Sequence, residues 1–238
     1  MQDNKPRVLC TRPLDKSLIQ YVQQHNIDID AVSFIHINRN HSEEVSKKII
    51  ALAEQKITAV FTSANAVEAV ADKLTAKPNW DVYCIGGNTK KTISDKLYNK
   101  SIKGFADTAK ELSKIIIKHH PTGIVYFFCG DKRMDYLPKA LGDRLIDVEE
   151  VTVYKTEQLE VKVDKEYDGI IFFSPSGVKS FFAVNKIKEE VVLFAIGDTT
   201  ADAITQYSDN EIVVSDYPDA KEMMSLVIEE LGDRSQEN

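Results

Sequence analysis

Short apolar runs recur along the 238-residue chain, and between them lie longer stretches with apolar residues three or four apart. The runs fall at 8–10, 59–61, 82–85, 124–129, 169–173, 193–196 and 212–214. They are too brief for buried helices and rich in β-branched and aromatic residues, which predicts strands. The spacing of Val67, Val70, Ala71 and Leu74, and of Leu112, Ile115 and Ile116, predicts helices between them. Strands alternating with helices predict an α/β protein with parallel sheets covered on both faces. Two segments depart from this rhythm. Residues 28–38 (DIDAVSFIHIN) and 147–157 (DVEEVTVYKTE) alternate side chains over a longer span, as edge strands or a paired linker between domains would. The polar tail GDRSQEN is expected to fray.

The pattern is written twice. FTSANAV at 61 returns as FFSPSGV at 172, and 172 − 61 = 111. IGGNTKKTI at 85 matches IGDTTADAI at 196, and AKEL at 109 matches AKEM at 220, both at the same offset. Residues 59–117 are thus repeated at 170–228. A fainter echo at an offset of 119 pairs VLCTRPLDKSLI (8–19) with FFCGDKRMDYLP (127–138). It aligns Cys10 with Cys129, Leu18 with Leu137 and Ile27 with Ile146. The repeat decides the architecture, two domains of similar construction. Taken alone, it places the split near residue 119.

Composition narrows the class. Hydrophobic residues make up 43% and charged residues 28%, an ordinary soluble balance. No apolar run approaches the ~20 residues that span a bilayer. The opening MQDNKPRVLCTRPL lacks the apolar core of a signal peptide. Three cysteines without a Cys-x-x-Cys spacing are expected to be buried and reduced, in a cytoplasmic protein; a reactive nucleophile is the alternative. Net charge −7 argues against a nucleic-acid surface. The chain is expected to be monomeric and to have no membrane partner.

The candidate chemistry lies in the turns after the strands, where doubly wound sheets bind their ligands. Ser63, Asn65, Ser174 and Ser176 suit helix starts as caps or hydroxyl donors. Gly86-Gly87 with Asn88 and Thr89, Gly197 with Thr199 and Thr200, and Cys129-Gly130-Asp131 allow close backbone approach. Several anion-receptive turns would therefore share one rim in each copy. Capping alone is the plainer reading of any single turn. The spacing of a dinucleotide fingerprint, a Walker A loop, a hydrolase elbow and a metal-binding histidine set are all missing. No metal or cofactor is expected. An enzyme built this way would act by holding an intrinsically reactive substrate in shape.

VLCTRP (8–13), FTSANAV (61–67), IGGNT (85–89), FFCGDKR (127–133) followed by LPKAL, VTVYKT (151–156), FFSPSGV (172–178) and IGDTTADAI (196–204) together resemble the uroporphyrinogen-III synthase family. They run in the family's order and cover nearly the whole chain. The resemblance implies two similar doubly wound, flavodoxin-like domains joined by a two-stranded linker, with a cleft between them. It implies discontinuous domains, 1–36 with 158–238 and 37–157, with linker strands near 30–37 and 150–157, and so overrides the sequential split. It implies a cyclising lyase that closes the linear tetrapyrrole hydroxymethylbilane with loss of water and inversion of ring D. Tyr154 matches the family's linker-strand tyrosine and is the candidate proton donor; packing on the linker is its plainer reading. Arg12, Ser63, Thr89, Gly130, Ser174, Ser176, Thr199 and Thr200 are the expected substrate contacts. One departure is visible: the family commonly carries arginine where this chain has Met134, with Arg133 one residue earlier. A non-catalytic two-domain binder of an anionic small molecule is the alternative, and a nucleotide-dependent enzyme a third reading.

Overall fold

A computed structural model describes residues 5–98 and 102–234. In chain order the first elements are β1 (Arg7–Cys10), α1 (Lys16–Gln24), β2 (Asp28–Ala31), β3 (Ile35–Arg39), α2 (Glu43–Ala53), β4 (Thr58–Phe61) and α3 (Ala64–Ala71). There follow β5 (Asp81–Ile85), α4 (Gly87–Ile93), a π-helical turn (Ser94–Tyr98), β6 (Ile102–Ala106), α5 (Ala109–His119), β7 (Val125–Gly130) and α6 (Tyr136–Gly142). The last are β8 (Val148–Gln158), β9 (Gly169–Phe172), α7 (Pro175–Val184), β10 (Val192–Ala195), α8 (Asp198–Ile204), β11 (Ile212–Val214) and α9 (Ala220–Arg234).

The chain separates into two compact units, unit 1 within Met1–His36 and Glu157–Asn238, unit 2 within Ile37–Thr156. One sheet runs β11-β10-β9-β1-β2 and the other β3-β8-β7-β4-β5-β6. Every pairing within β11-β10-β9-β1-β2 and within β8-β7-β4-β5-β6 is parallel. The inner strands β1, β9, β10, β4, β5 and β7 are apolar on both faces because helices cover both. In unit 1, Val8, Cys10, Ile171 and Phe194 meet Val22 of α1 and Met223 and Val227 of α9. Leu9, Ile170, Phe172 and Leu193 meet Val178 and Phe181 of α7 and Ile204 of α8. Unit 2 repeats the plan. Phe61, Val82, Cys84 and Phe128 pack with Val67, Val70 and Ile93, while Val60, Tyr83, Val125 and Phe127 pack with Leu112, Ile116, Leu137 and Leu141.

The two sheets correspond strand for strand: β9, β10 and β11 to β4, β5 and β6, and β1 and β2 to β7 and β8. Gly169 faces Val192 just as Thr58 faces Asp81, so the repeat offset holds on both strands of the pair (169 − 58 = 192 − 81 = 111). The pairing of Cys10 with Cys129 is corrected by the register. Cys10 faces Ile171, the counterpart of Val60, and Val60 faces Phe127. Cys10 therefore corresponds to Phe127, two positions before Cys129. A slip of two leaves every side chain on its original face, so the apolar pattern is blind to it. The outer strands keep the offset of 119, since Val8 faces Ile29 and Val125 faces Val148. The two extra residues lengthen the carboxyl end of β7.

Three details differ from the sequence expectations. Residues 28–38 form two strands rather than one: β2 edges the first sheet and β3 the second. The break falls at Ser33, whose hydroxyl donates to the Ile35 carbonyl at 2.7 Å, and at fully buried Phe34. Residues 147–157 do form one long strand, β8. β6 was not foreseen, because IKGFA is half polar and carries a central glycine. α9 continues through residues 232–234 of the tail, and 235–238 lie outside the described residues. Among the described residues no helix is long and apolar enough to cross a membrane.

Candidate functional site

In unit 1 the central strands β1 and β9 end side by side. Thr11 fixes the exit from β1: its backbone N–H and its hydroxyl both donate to the Ile171 carbonyl, at 3.0 and 2.7 Å. The next residue, Arg12, lays its guanidinium over the Phe173 ring, 3.7 Å from the centroid. Its Nε is buried and, among the described residues, is the buried side-chain nitrogen left without a hydrogen-bond partner. Burial lowers the Arg12 pKa, opposed by the charges of Cys10, Asp15 and Asp219. The group nevertheless remains a cation. An orphaned, desolvated donor is costly in a folded protein and stands ready for an anion.

Ser174 follows β9 and caps α7, accepting the Gly177 N–H at 3.2 Å, with Pro175 at the first helical turn. Ser176 is half-buried in that same turn. After β10, Thr199 is exposed while Thr200 is 1% exposed. Arg12, Ser174, Ser176 and Thr199 thus share the carboxyl edge of three neighbouring strands.

Unit 2 uses the equivalent edge differently. Ser63, the counterpart of Ser174 at the repeat offset, caps α3 by accepting the Asn65 N–H at 3.2 Å. It also accepts the phenol O–H of Tyr154 at 3.2 Å. Tyr154 lies on β8, opposite Gly130 beyond a register shift in the β7–β8 pair. A Cβ on Gly130 would overlap the tyrosine ring and stand 2.7 Å from its oxygen. Only glycine lets the phenol cross the end of β7 to reach Ser63. Burial is the main force raising the Tyr154 pKa, with Cys129 and Asp131 adding to it and the Ser63 bond opposing. The phenol therefore keeps its proton at neutral pH and acts as a donor.

The structure brings Ser63, Gly130 and Tyr154 into one cluster and sets Arg12 beside the strand that carries Ser174. Thr89, like its counterpart Thr200, sits beneath its turn and is only 6% exposed. What the 86–89 turn presents outward is Gly87, with φ 58°, and Asn88. Arg133 is engaged by Glu150 and Asp135, whose carboxylates raise its pKa, while Met134 is 63% exposed. Sequence reasoning missed Phe173, the platform under Arg12. Its signal was an aromatic just past the end of a fully buried strand. The three cysteines are free and buried, and burial pushes each thiol up to about 11, which suits packing and not nucleophilic attack.

Comparison with known proteins adds a second line. The family described as uroporphyrinogen-III synthase HemD matches residues 16–225. The uroporphyrinogen-III synthase of Saccharomyces cerevisiae is 28% identical over 203 residues, 72% of this chain and 74% of the yeast protein. The solved uroporphyrinogen-III synthetase of Helicobacter pylori superposes with a TM-score of 0.68 at 16% identity, covering 94% of this chain and 99% of that one. A mutant uroporphyrinogen III synthase of Thermus thermophilus gives 0.66 at 15% identity, covering 96% and 99%. At such identities the solved structures speak for a shared mixed α/β fold.

Proposed function

Because the chain belongs to the uroporphyrinogen-III synthase family, we propose a division of labour between its two sets of turns, with Tyr154 as proton donor and Arg12 as carboxylate clamp. The reaction makes uroporphyrinogen III in haem biosynthesis and is that of a cyclising lyase. Hydroxymethylbilane loses the hydroxyl of its ring A arm, which leaves with a proton as water. The electrophilic azafulvene left behind is attacked by the substituted carbon of ring D. The spiro intermediate then breaks one bond and recloses with ring D inverted. Electrophile and nucleophile both belong to the substrate. The protein's share is orientation, up to ~7–11 kcal/mol in well-aligned cases, and a positioned proton, about 10²–10⁴-fold.

The phenol of Tyr154 is oriented by Ser63 and admitted by Gly130. Its raised pKa suits a group that donates to the departing hydroxyl without ionising beforehand. Arg12 offers Nε and its planar fork to a carboxylate, flattened on Phe173. Ser174, Ser176, Thr199 and the backbone N–H groups of the turns take further carboxylates, while Thr89 and Thr200 support those turns from below.

Each unit is read as a flavodoxin-like domain, the two domains being 1–36 with 158–238 and 37–157, linked near 30–37 and 150–157. The order β2-β1-β9-β10-β11 follows the 2-1-3-4-5 scheme, and β8-β7-β4-β5-β6 follows it with the chain entering at β4. In such sheets ligands favour the reversal point, here between β1 and β9 and between β7 and β4. Arg12 and Ser174 flank the first, Gly130 and Ser63 the second. A cytoplasmic, monomeric, cofactor-free enzyme completes the reading, in keeping with three reduced thiols.

The observation that carries this reading is the Tyr154–Ser63 contact across Gly130. Its test is the isomer ratio. Left alone, hydroxymethylbilane closes to the uninverted isomer I. Chelator-treated protein should give mainly isomer III, separated from I by chromatography after oxidation to the porphyrins. Isomer I at the spontaneous rate would overturn the reading in favour of a non-catalytic binder.

A further inference from the structure

We infer that a groove on the edge of unit 2, centred on Lys90 and Phe105, is an additional subsite for a carboxylate arm of the linear tetrapyrrole. The inference rests on the function proposed above and adds to it a residue outside the repeated machinery. A cavity of about 440 Å³ runs beside β6, lined by Lys90, Ile102, Lys103, Gly104, Phe105 and Ile115. Gly104 lets Ile115 pack directly against the strand in its floor, because a Cβ there would lie 2.7 Å from Ile115 Cγ2. Phe105 is 48% exposed, and the Lys90 ammonium sits over its ring, 3.2 Å from the centroid.

Three features mark this groove as more than a solvated edge. First, Lys90 meets no carboxylate among the described residues, although the chain carries net charge −7, whereas Lys103 reaches Asp81 at 3.4 Å. Lys103 is spoken for as the charge that guards an edge strand; Lys90 is not. Second, the groove is absent from the repeat plan. The counterpart of Lys90 is Ala201 (201 − 90 = 111), and the registers Cys84–Phe105 and Ala195–Val214 make Val214 the counterpart of Phe105. Packing of the repeated sheet therefore does not require the pair. Third, Lys90 adjoins Thr89 in α4, and β6 lies two strands from β4, whose end carries Ser63. Two strand spacings amount to ~10 Å, within reach of an extended tetrapyrrole whose proton-requiring end lies at Tyr154. The exposed ring supplies an apolar wall for a pyrrole and the ammonium a counter-charge for its acidic arm.

The test is steady-state kinetics with hydroxymethylbilane on the full chain. Lys90→Ala should raise KM by ~3–5-fold, the worth of one exposed charge pair, and leave kcat and the fraction of isomer III unchanged. Lys90→Arg should restore KM. Lys91→Ala, an exposed lysine on the same helix outside the groove, should leave KM alone. Unchanged melting temperatures for all three would exclude a folding effect. A KM that stays at the wild-type value in both Lys90→Ala and the Lys90→Ala/Phe105→Ala double variant, while wild type still makes isomer III, overturns the subsite alone. An equal rise in Lys91→Ala also overturns it, as a general charge effect. Wild type that makes no isomer III overturns the parent reading and the subsite with it.

Discussion

Unit 1 and unit 2 place a capping serine at the same step of the repeat and surround it with different chemistry. Ser174 holds the start of α7 through the Gly177 N–H. Ser63 holds the start of α3 and is also the acceptor for a half-buried phenol. At the neighbouring strand end, unit 1 has a four-residue β1 followed by Thr11 and a guanidinium on an aromatic platform. Unit 2 has a six-residue β7 ending on Gly130, over which Tyr154 passes. The two-residue lengthening of β7 and its register shift create the seat for the tyrosine. One scaffold thus yields a cationic edge in unit 1 and a phenol bonded to a serine in unit 2 by local changes at strand ends, which leave the core unaltered.

The sharpest way to break this contrast is Gly130→Ala. The new methyl must displace the Tyr154 ring, at an overpacking cost of ~1–3 kcal/mol. A displaced donor should lower kcat by about 10²-fold, read by isomer III formation beside a thermal melt. Full activity in a folded variant would remove Tyr154 from the mechanism.

Next in size is Tyr154→Phe, which keeps the ring and removes the proton. A fall in kcat of at least ~10-fold supports proton donation, with stability changing by about 1 kcal/mol or less for one lost hydrogen bond. An unchanged rate would leave orientation as the source of catalysis.

The paired serines give a finer comparison. Ser63→Ala and Ser174→Ala should each lose ~1 kcal/mol of stability as helix caps, measured by denaturant unfolding. Ser63→Ala alone should also lower kcat, because Tyr154 loses its orienting acceptor. Equal kinetic losses in the two variants would erase the distinction between the units.

The smallest effect concerns the thiols and leaves neutral-pH behaviour untouched. Cys10 in unit 1 and Cys84 and Cys129 in unit 2 have pKa values raised by burial from 9.0 to about 11. A raised folded pKa contributes stability that is complete below the unfolded value of 9.0 and is lost as pH climbs toward about 11. Melting temperature should hold to pH 9 and fall above it. Amide exchange between pH 9 and 11 should accelerate more in unit 2, corrected for intrinsic rates, since two of the three thiols lie there. Cys84→Ala should narrow that difference.

The α/β alternation, the parallel sheets and the repeat were legible because each is carried by short-range periodicity. Strands at 59–61, 82–85 and 193–196 stand within a residue of β4, β5 and β10. β6 was not legible. An edge strand buries little, and IKGFA carries no continuous apolar signal. The seats of Ser63 and Ser174 were visible as small polar residues ending an apolar run. Thr89 and Thr200 were visible too, but the outward reach expected of them was not, because burial depends on how each helix settles on its sheet.

By itself, the sequence determined most of the strands, the faces they bury and the small polar turns that follow them, since all three follow from residue types within a few positions of one another. Only the tertiary structure decided the register of β1 against β9, because a two-residue slip preserves every face. Only it decided that Tyr154 meets Ser63 and that Arg12 meets Phe173, partners far apart along the chain. Such contacts are made by parallel pairing, which sets strands distant in the chain side by side at about 4.8 Å and brings their ends to one edge. No local pattern encodes which strand that neighbour will be, and the empty space above Gly130 has meaning only once the tyrosine from that neighbour fills it.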